Sequence, residues 1–121
     1  MNNEFERFPV YQESIKIAKE IGGFCREINR REFEYLKNQL LRASSSIVLN
    51  LAEGSGRWTK RDKSNFYRTS RASALECVSA LDLFLAYGLV GAEKTSSLKQ
   101  RLLKIAGALQ ALIFSVEKRQ K

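Results

Sequence analysis

Apolar positions recur along the chain at helical spacing, in four separate runs. Val10, Ser14, Ile17, Ile21, Phe24 and Ile28 are separated by steps of 4, 3, 4, 3 and 4. That is the seam of an amphipathic helix with one face in a core. Tyr11, Ala18 and Cys25 widen it, and Pro9 suits a first helical turn, where its missing N–H is not needed. A helix over about 9–29 is predicted, with Gly22-Gly23 allowing a neighbouring helix to approach closely. The second run is Phe33, Leu36, Leu40, Ala43, Ile47 and Leu51, predicting a helix over about 33–54. The third, about 59–87, has Phe66, Tyr67, Ser70, Ala74, Cys77, Val78, Leu81, Phe84 and Leu85 on its core side. In the fourth, about 92–118, Leu98, Leu102, Ile105, Leu109, Leu112 and Val116 again step by 4, 3, 4, 3 and 4. No segment alternates with the period of a strand. Short connections make consecutive helices antiparallel neighbours, so the expected fold is all-α: an antiparallel up-down-up-down four-helix bundle, one domain over 1–121.

The junction between the second and third helices breaks this grammar. Asn50 falls on the apolar side of its helix, where a polar amide needs a hydrogen-bond partner. Glu53 stands near the helix end, where the dipole disfavours a negative charge. Gly54 and Gly56 follow, a stop signal that turns the chain. Asn50 and Glu53 are therefore read as a buried polar lock. Thr59 and Asp62 then have the spacing of a capping box for the third helix.

Charge gives this junction its second role. The net charge is +8, from 21 Lys+Arg against 13 Asp+Glu. Residues 37–75 hold 8 basic and only 2 acidic groups, whereas residues 1–36 hold 6 and 7. Arg57, Arg61, Arg68 and Arg71 fall within an arc of about 80° at 100° per residue. Lys60 and Lys63 join them, and Trp58 stands in the loop, where its indole is expected to fold over the bundle end, with stacking on an unpaired base as the alternative. Such a stripe attracts phosphate polymers, in a mainly electrostatic and sequence-independent way. An acidic protein surface, such as that of a polymerase, is the rival partner.

Other chemistry is poorly supported. The sequence contains no histidine, which removes histidine triads and histidine metal sites. Cys25 and Cys77 lie in apolar surroundings and read as buried free thiols. Gly54-Ser55-Gly56-Arg57-Trp58-Thr59-Lys60-Arg61 fails the P-loop pattern: Thr59 replaces its second glycine and Arg61 its Ser/Thr, and it follows a helix instead of a strand. Glu53, Asp62 and Glu76 read as ion-paired or capping carboxylates. No catalytic residue, metal site or cofactor is expected. No apolar run approaches the ~20 residues of a membrane span, and the polar N-terminus lacks the pattern of a signal peptide, so a cytoplasmic location is expected. The third helix from Ser73 to Tyr87 is apolar or small nearly all round, including Leu75, Ser79, Leu83 and Ala86. This predicts a subunit interface and hence a homo-oligomer.

The run Gln39-Leu40-Leu41-Arg42-Ala43-Ser44-Ser45-Ser46-Ile47-Val48-Leu49-Asn50-Leu51-Ala52-Glu53-Gly54-Ser55-Gly56-Arg57 resembles the pattern Q-L-R-R-A-x-x-S-I-P-x-N-I-A-E-G-x-G-R. That pattern marks the four-helix-bundle proteins encoded by intervening sequences in bacterial 23S ribosomal RNA genes. Val10-Tyr11-Gln12, the stretch Lys60 to Tyr67 and Ser73-Ala74-Leu75-Glu76 are similar too, so the resemblance spans roughly 8–118. Val48 replaces the usual proline, predicting a less kinked second helix, and Leu41 replaces a common arginine. The resemblance implies a ring-like homopentamer with a basic surface. It also implies kinship with the accessory variability proteins of diversity-generating retroelements, whose pentamers bind nucleic acid and a reverse transcriptase.

Overall fold

Each of the four apolar runs forms a helix in a computed structural model, which describes residues 4–118. The helices are α1 (Pro9–Arg26), α2 (Glu34–Ser55), α3 (Lys60–Ala86) and α4 (Ala92–Lys118), with short 3₁₀ turns at Glu4–Arg7 and Arg31–Phe33. No strand occurs among the described residues. The seam side chains converge on one core: Ile17, Ile21 and Phe24 from α1, Leu36, Leu40, Ile47 and Leu51 from α2, Leu81 and Phe84 from α3, and Leu98, Leu102, Leu109 and Ile113 from α4. Phe24 and Phe84 meet edge to face with ring centroids 5.5 Å apart, a geometry that aligns the positive edge of one ring with the face of the other.

Side-chain hydrogen bonds fix the register of neighbouring helices. The Ser55 and Tyr67 hydroxyls lie 3.2 Å apart, Ser70 donates to the Ile47 carbonyl at 2.7 Å, and Gln39 donates to Glu76 at 3.3 Å. Numbers fall along α2 as they rise along α3, so these two run antiparallel. Arg68–Glu117 at one end and Lys99–Asp82 at the other set α3 against α4 in the same sense. Arg101 of α4 pairs with Glu20 of α1. α2 therefore touches α1 and α3, α4 touches α3 and α1, and α2 and α4 stand diagonally across the bundle.

Three local details differ from expectation: the end of α1, the role of Gly22-Gly23 and the role of the glycines after α2. α1 stops at Arg26, not near 29, because the Glu27 and Ile28 N–H groups bond back to the Phe24 and Cys25 carbonyls at three-residue spacing. Ile28 stays buried, and Lys37 donates to its carbonyl at 2.7 Å. Gly22 and Gly23 lie within continuous α1, but an added Cβ at either would meet only the Arg26 guanidinium, at 3.7–3.8 Å. Among the described residues no other helix uses the space they leave. α2 runs unbroken through Val48 and Gly54 to Ser55, within a residue of the expected end, and Gly56 has an ordinary negative φ of −90°. The turn thus needs no left-handed glycine, and Gly54 has a packing role. The left-handed cap occurs after α3, where Gly88 has φ +70°. The N–H of Leu89 reaches the Phe84 carbonyl at 2.9 Å and that of Gly88 reaches Leu85 at 3.0 Å, satisfying two carbonyls that the helix end would leave bare.

No helix among the described residues is long and apolar enough to cross a membrane. The surface of the single chain keeps large apolar side chains exposed on every helix, among them Ile15, Leu49, Leu83 and Phe114.

Candidate nucleic-acid interface

The α2–α3 connection is four residues long, Gly56 to Thr59. Thr59 caps α3, its hydroxyl accepting the Asp62 N–H at 3.1 Å. That cap aims the first turn of α3 outward and places Trp58 at the tip of the bundle, 98% exposed. The indole does not fold over the bundle end, so its faces are available for stacking.

The six predicted basic residues divide by what they already touch. Lys60 is half-buried and Arg61 is exposed, and neither has an ion-pair or hydrogen-bond partner among the described residues. Arg57 is engaged twice: it donates to the Glu53 carboxylate at 2.7 Å, and its guanidinium lies 4.5 Å over the Phe66 ring. Cation–π contact of this kind orients the cation without neutralising it. Lys63 turns away from solvent and donates to the Gly54 and Ser55 carbonyls at 3.3 and 2.9 Å. A helix end leaves four carbonyls without intrahelical partners and carries partial negative charge, so the Lys63 ammonium acts as the cap of α2. The structure makes it a supporting residue of the corner.

Arg68 and Arg71 stand two and three turns down α3, toward α4. Arg68 is clamped by the Glu117 carboxylate, which also accepts the Ser64 hydroxyl at 3.1 Å. Arg71 is half-buried, and its Nε is buried with no hydrogen-bond partner among the described residues. The span from Arg61 to Arg71 is about 15 Å along the helix axis, the reach of a few phosphates. Glu117 closes one flank of the stripe, a contact that the basic pattern alone does not predict. The antiparallel topology returns the end of α4 to the first half of α3.

Asn50 and Glu53 lie apart, each in its own network. Asn50 is half-buried, and its amide donates to the Ser46 carbonyl and hydroxyl at 2.9 and 2.8 Å. Ser73 donates to the same hydroxyl at 2.8 Å, so Asn50, Ser46 and Ser73 tie α2 to α3. Ser46 and Ser73 line a shallow polar groove of about 440 Å³ together with Gln39, Arg42 and Glu76. Glu53 is exposed and, among the described residues, pairs only with Arg57, offsetting its unfavourable position at a helix end.

The buried thiols differ sharply from the corner. Burial raises Cys25 to about 11 and Cys77 to about 12, with Glu76 and Cys25 adding to the second shift. At neutral pH both are inert thiols. Among the described residues no three Cys, Asp or Glu side chains gather as a metal site would require.

Fold and corner together define a small helical bundle with a polycationic, aromatic-tipped turn between its second and third helices. The sequence pattern of the 23S rRNA-intervening sequence proteins matches residues 6–111, and the chain belongs to that family. A solved structure of the same fold is that of a protein of unknown function from the S23 ribosomal protein family of Bacteroides thetaiotaomicron. It is 22% identical, with a TM-score of 0.81 over 86% of this chain and 97% of that one. No curated protein matches the sequence significantly.

Proposed function

We propose that this protein is a non-enzymatic, oligomeric nucleic-acid-binding protein that grips phosphates at the α2–α3 corner with little sequence preference. The observation that carries the reading is the juxtaposition at that corner. Trp58 is almost wholly in solvent, and Lys60 and Arg61 beside it have no acidic partner among the described residues. Cations without internal partners bind phosphates without first breaking an ion pair, and an adjacent indole adds stacking on unpaired bases. The N-terminus of α3 contributes its positive dipole end at the same place. Arg57, held over Phe66, and Arg68 extend the contact, while Lys63 keeps the corner in shape.

Family membership favours RNA of ribosomal origin as the polymer, and a retroelement context follows only from the resemblance of the Asn50–Gly54 run. The assembly is a homo-oligomer, five copies on that same resemblance. The test is binding of single-stranded and duplex RNA and DNA oligonucleotides to the wild type and to a Lys60→Gln/Arg61→Gln variant. Wild-type binding that weakens with salt and with the double substitution supports the reading. No nucleic-acid binding, with capture of an acidic reverse transcriptase that Lys60 and Arg61 control, would replace it with a protein-docking function.

A further inference from the structure

At the end of the bundle opposite Trp58, a short turn and a helix terminus bring three aromatic rings together. The 3₁₀ turn Arg31–Phe33 leads into α2, and the Phe33 N–H donates to the Arg30 carbonyl at 2.9 Å. Tyr87 closes α3 just before the left-handed Gly88, its N–H bonded to the Leu83 carbonyl at 2.9 Å. These backbone arrangements stack Phe33 against Tyr87, with ring centroids 5.0 Å apart and planes tilted by 31°. The Arg30 guanidinium lies 5.6 Å from the Phe33 centroid and is steered by the Glu32 carboxylate at 3.1 Å. Tyr35, in the first turn of α2, meets Tyr87 through its hydroxyl, and that hydrogen bond raises the Tyr35 phenol above its usual value.

Phe33 is half-buried and engaged by these neighbours. Tyr35 and Tyr87 keep much of their rings in solvent, at 57% and 47% exposed. Rings left in water give the fold little burial energy, yet these two are held in place by each other and by Phe33. A ring positioned in advance gives up little freedom when a flat ligand stacks on it. The charges at this end nearly cancel. Arg30 is paired with Glu32 and Lys37 with Glu34. Arg26, Arg31 and Lys94 are exposed, as are Glu27 and Glu93, all without an ion pair among the described residues. A ligand here is therefore held by its rings more than by its charge, and Arg31, in the same turn as Phe33, is the cation placed to meet a phosphate.

We propose that this end is a second nucleic-acid contact, chemically unlike the corner, where unpaired bases of a single strand stack on Tyr87 and Tyr35. Such stacking accepts any base, because every base has a π-face. Duplex bases are already stacked on one another and are not ligands for it. The inference rests on the proposed function for the class of polymer and adds to it a preference for single strands. α3 has 27 residues, about 40 Å at 1.5 Å per residue, so the corner and this platform are separate sites at the two ends of one subunit.

The experiment compares two probes, single-stranded oligoadenylate RNA, which has bases, and inorganic polyphosphate, which has charge and no rings. Each is titrated against the wild type, Tyr35→Leu/Tyr87→Leu and Tyr35→Phe/Tyr87→Phe, with helicity checked by circular dichroism. The leucine variant keeps apolar bulk against Phe33 and is expected to bind oligoadenylate roughly fivefold or more weakly, with polyphosphate affinity unchanged. The phenylalanine variant keeps the rings and is expected to match the wild type with both probes. Tyr35→Leu alone, at a largely solvated ring, is expected to show a smaller loss for oligoadenylate only, and it replaces the double variant if that one loses helicity. Oligoadenylate affinity unchanged in the leucine variants, an equal loss for polyphosphate, or a phenylalanine variant as weak as the leucine one overturns the platform. So does a proline-rich peptide that binds through Tyr87 while oligoadenylate binding ignores both tyrosines. Polyphosphate that fails to bind the wild type, with oligoadenylate binding still dependent on the tyrosines, refutes the corner and leaves the platform standing; a wild type that binds neither probe refutes both.

Discussion

Gly54 of α2 lies flat against the ring of Tyr67 of α3. A Cβ at position 54 would come within 2.8 and 2.9 Å of two ring carbons and 3.0 Å of the Phe66 Cβ. The ring has little freedom to yield, because Tyr67 is buried and its hydroxyl is hydrogen-bonded to Ser55. This contact sets the spacing of α2 and α3 next to the basic corner. Gly54→Ala is expected to destabilise the fold by about 1–3 kcal/mol through overpacking, despite alanine's helix preference of about 1 kcal/mol. Urea denaturation of the two proteins measures the difference; an unchanged or raised midpoint would show that the contact is loose.

Lys60, Arg61 and Lys63 are neighbours in sequence with different tasks. Lys60→Gln/Arg61→Gln is expected to leave stability within about 0.5 kcal/mol and to reduce the salt dependence of polyanion binding by about one to two ion equivalents. Lys63→Gln is expected to do the reverse, costing about 1 kcal/mol through the uncapped α2 carbonyls with a smaller effect on the salt slope. Parallel denaturation and salt-titration series check both.

Glu117 competes with phosphate for Arg68. Glu117→Gln removes the charge that holds the guanidinium, so affinity for an oligonucleotide is expected to rise by about two- to fivefold at low salt, about 0.4–1 kcal/mol. Unchanged affinity, measured by anisotropy, would place Arg68 outside the contact.

The thiols give a prediction at alkaline pH. Burial raises Cys25 and Cys77 from 9.0 to about 11 and about 12, so the folded state keeps these protons after the unfolded chain has released them. Their contribution to stability is complete below pH 9 and is lost as pH rises through the folded values. Burial also raises Tyr67, which adds in the same direction. A Cys25→Ala/Cys77→Ala variant is expected to lose stability less steeply between pH 9 and 11, the difference being at most ~1.4 kcal/mol per pH unit per thiol. Denaturation midpoints against pH test this, and equal slopes would refute it.

Much of this architecture is readable from side-chain periodicity, because a 3.6-residue repeat reports which face is buried. That suffices for four helices, most of their core-facing positions and the Thr59 cap, although Leu85, expected on the core side of α3, is 40% exposed. It is not enough for pairwise relations between helices. Gly54 in sequence is a stop signal; only the presence of Tyr67 opposite it shows that the glycine leaves room for a ring. Lys63 and Arg61 are equally basic in sequence, and the difference between them lies in the α2 carbonyls that only Lys63 reaches. Asn50 falls on the apolar side, where an amide needs a partner; that partner is Ser46, one turn earlier, and not Glu53. Glu117 reaches the stripe from 49 residues beyond Arg68; the antiparallel topology brings the two ends together, but which side chains pair there is not written in local patterning.

Trp58 offers the most direct measurement of the central claim. It is the only tryptophan in the chain and is 98% exposed at the basic corner, so its fluorescence reports contact there. Titration with a single-stranded RNA oligonucleotide at increasing salt is predicted to quench it, with log affinity falling against log salt at a slope of about −2 or steeper. Fluorescence that does not respond to oligonucleotide, or an affinity unchanged from low to moderate salt, would contradict the assignment of this corner as a phosphate-binding site.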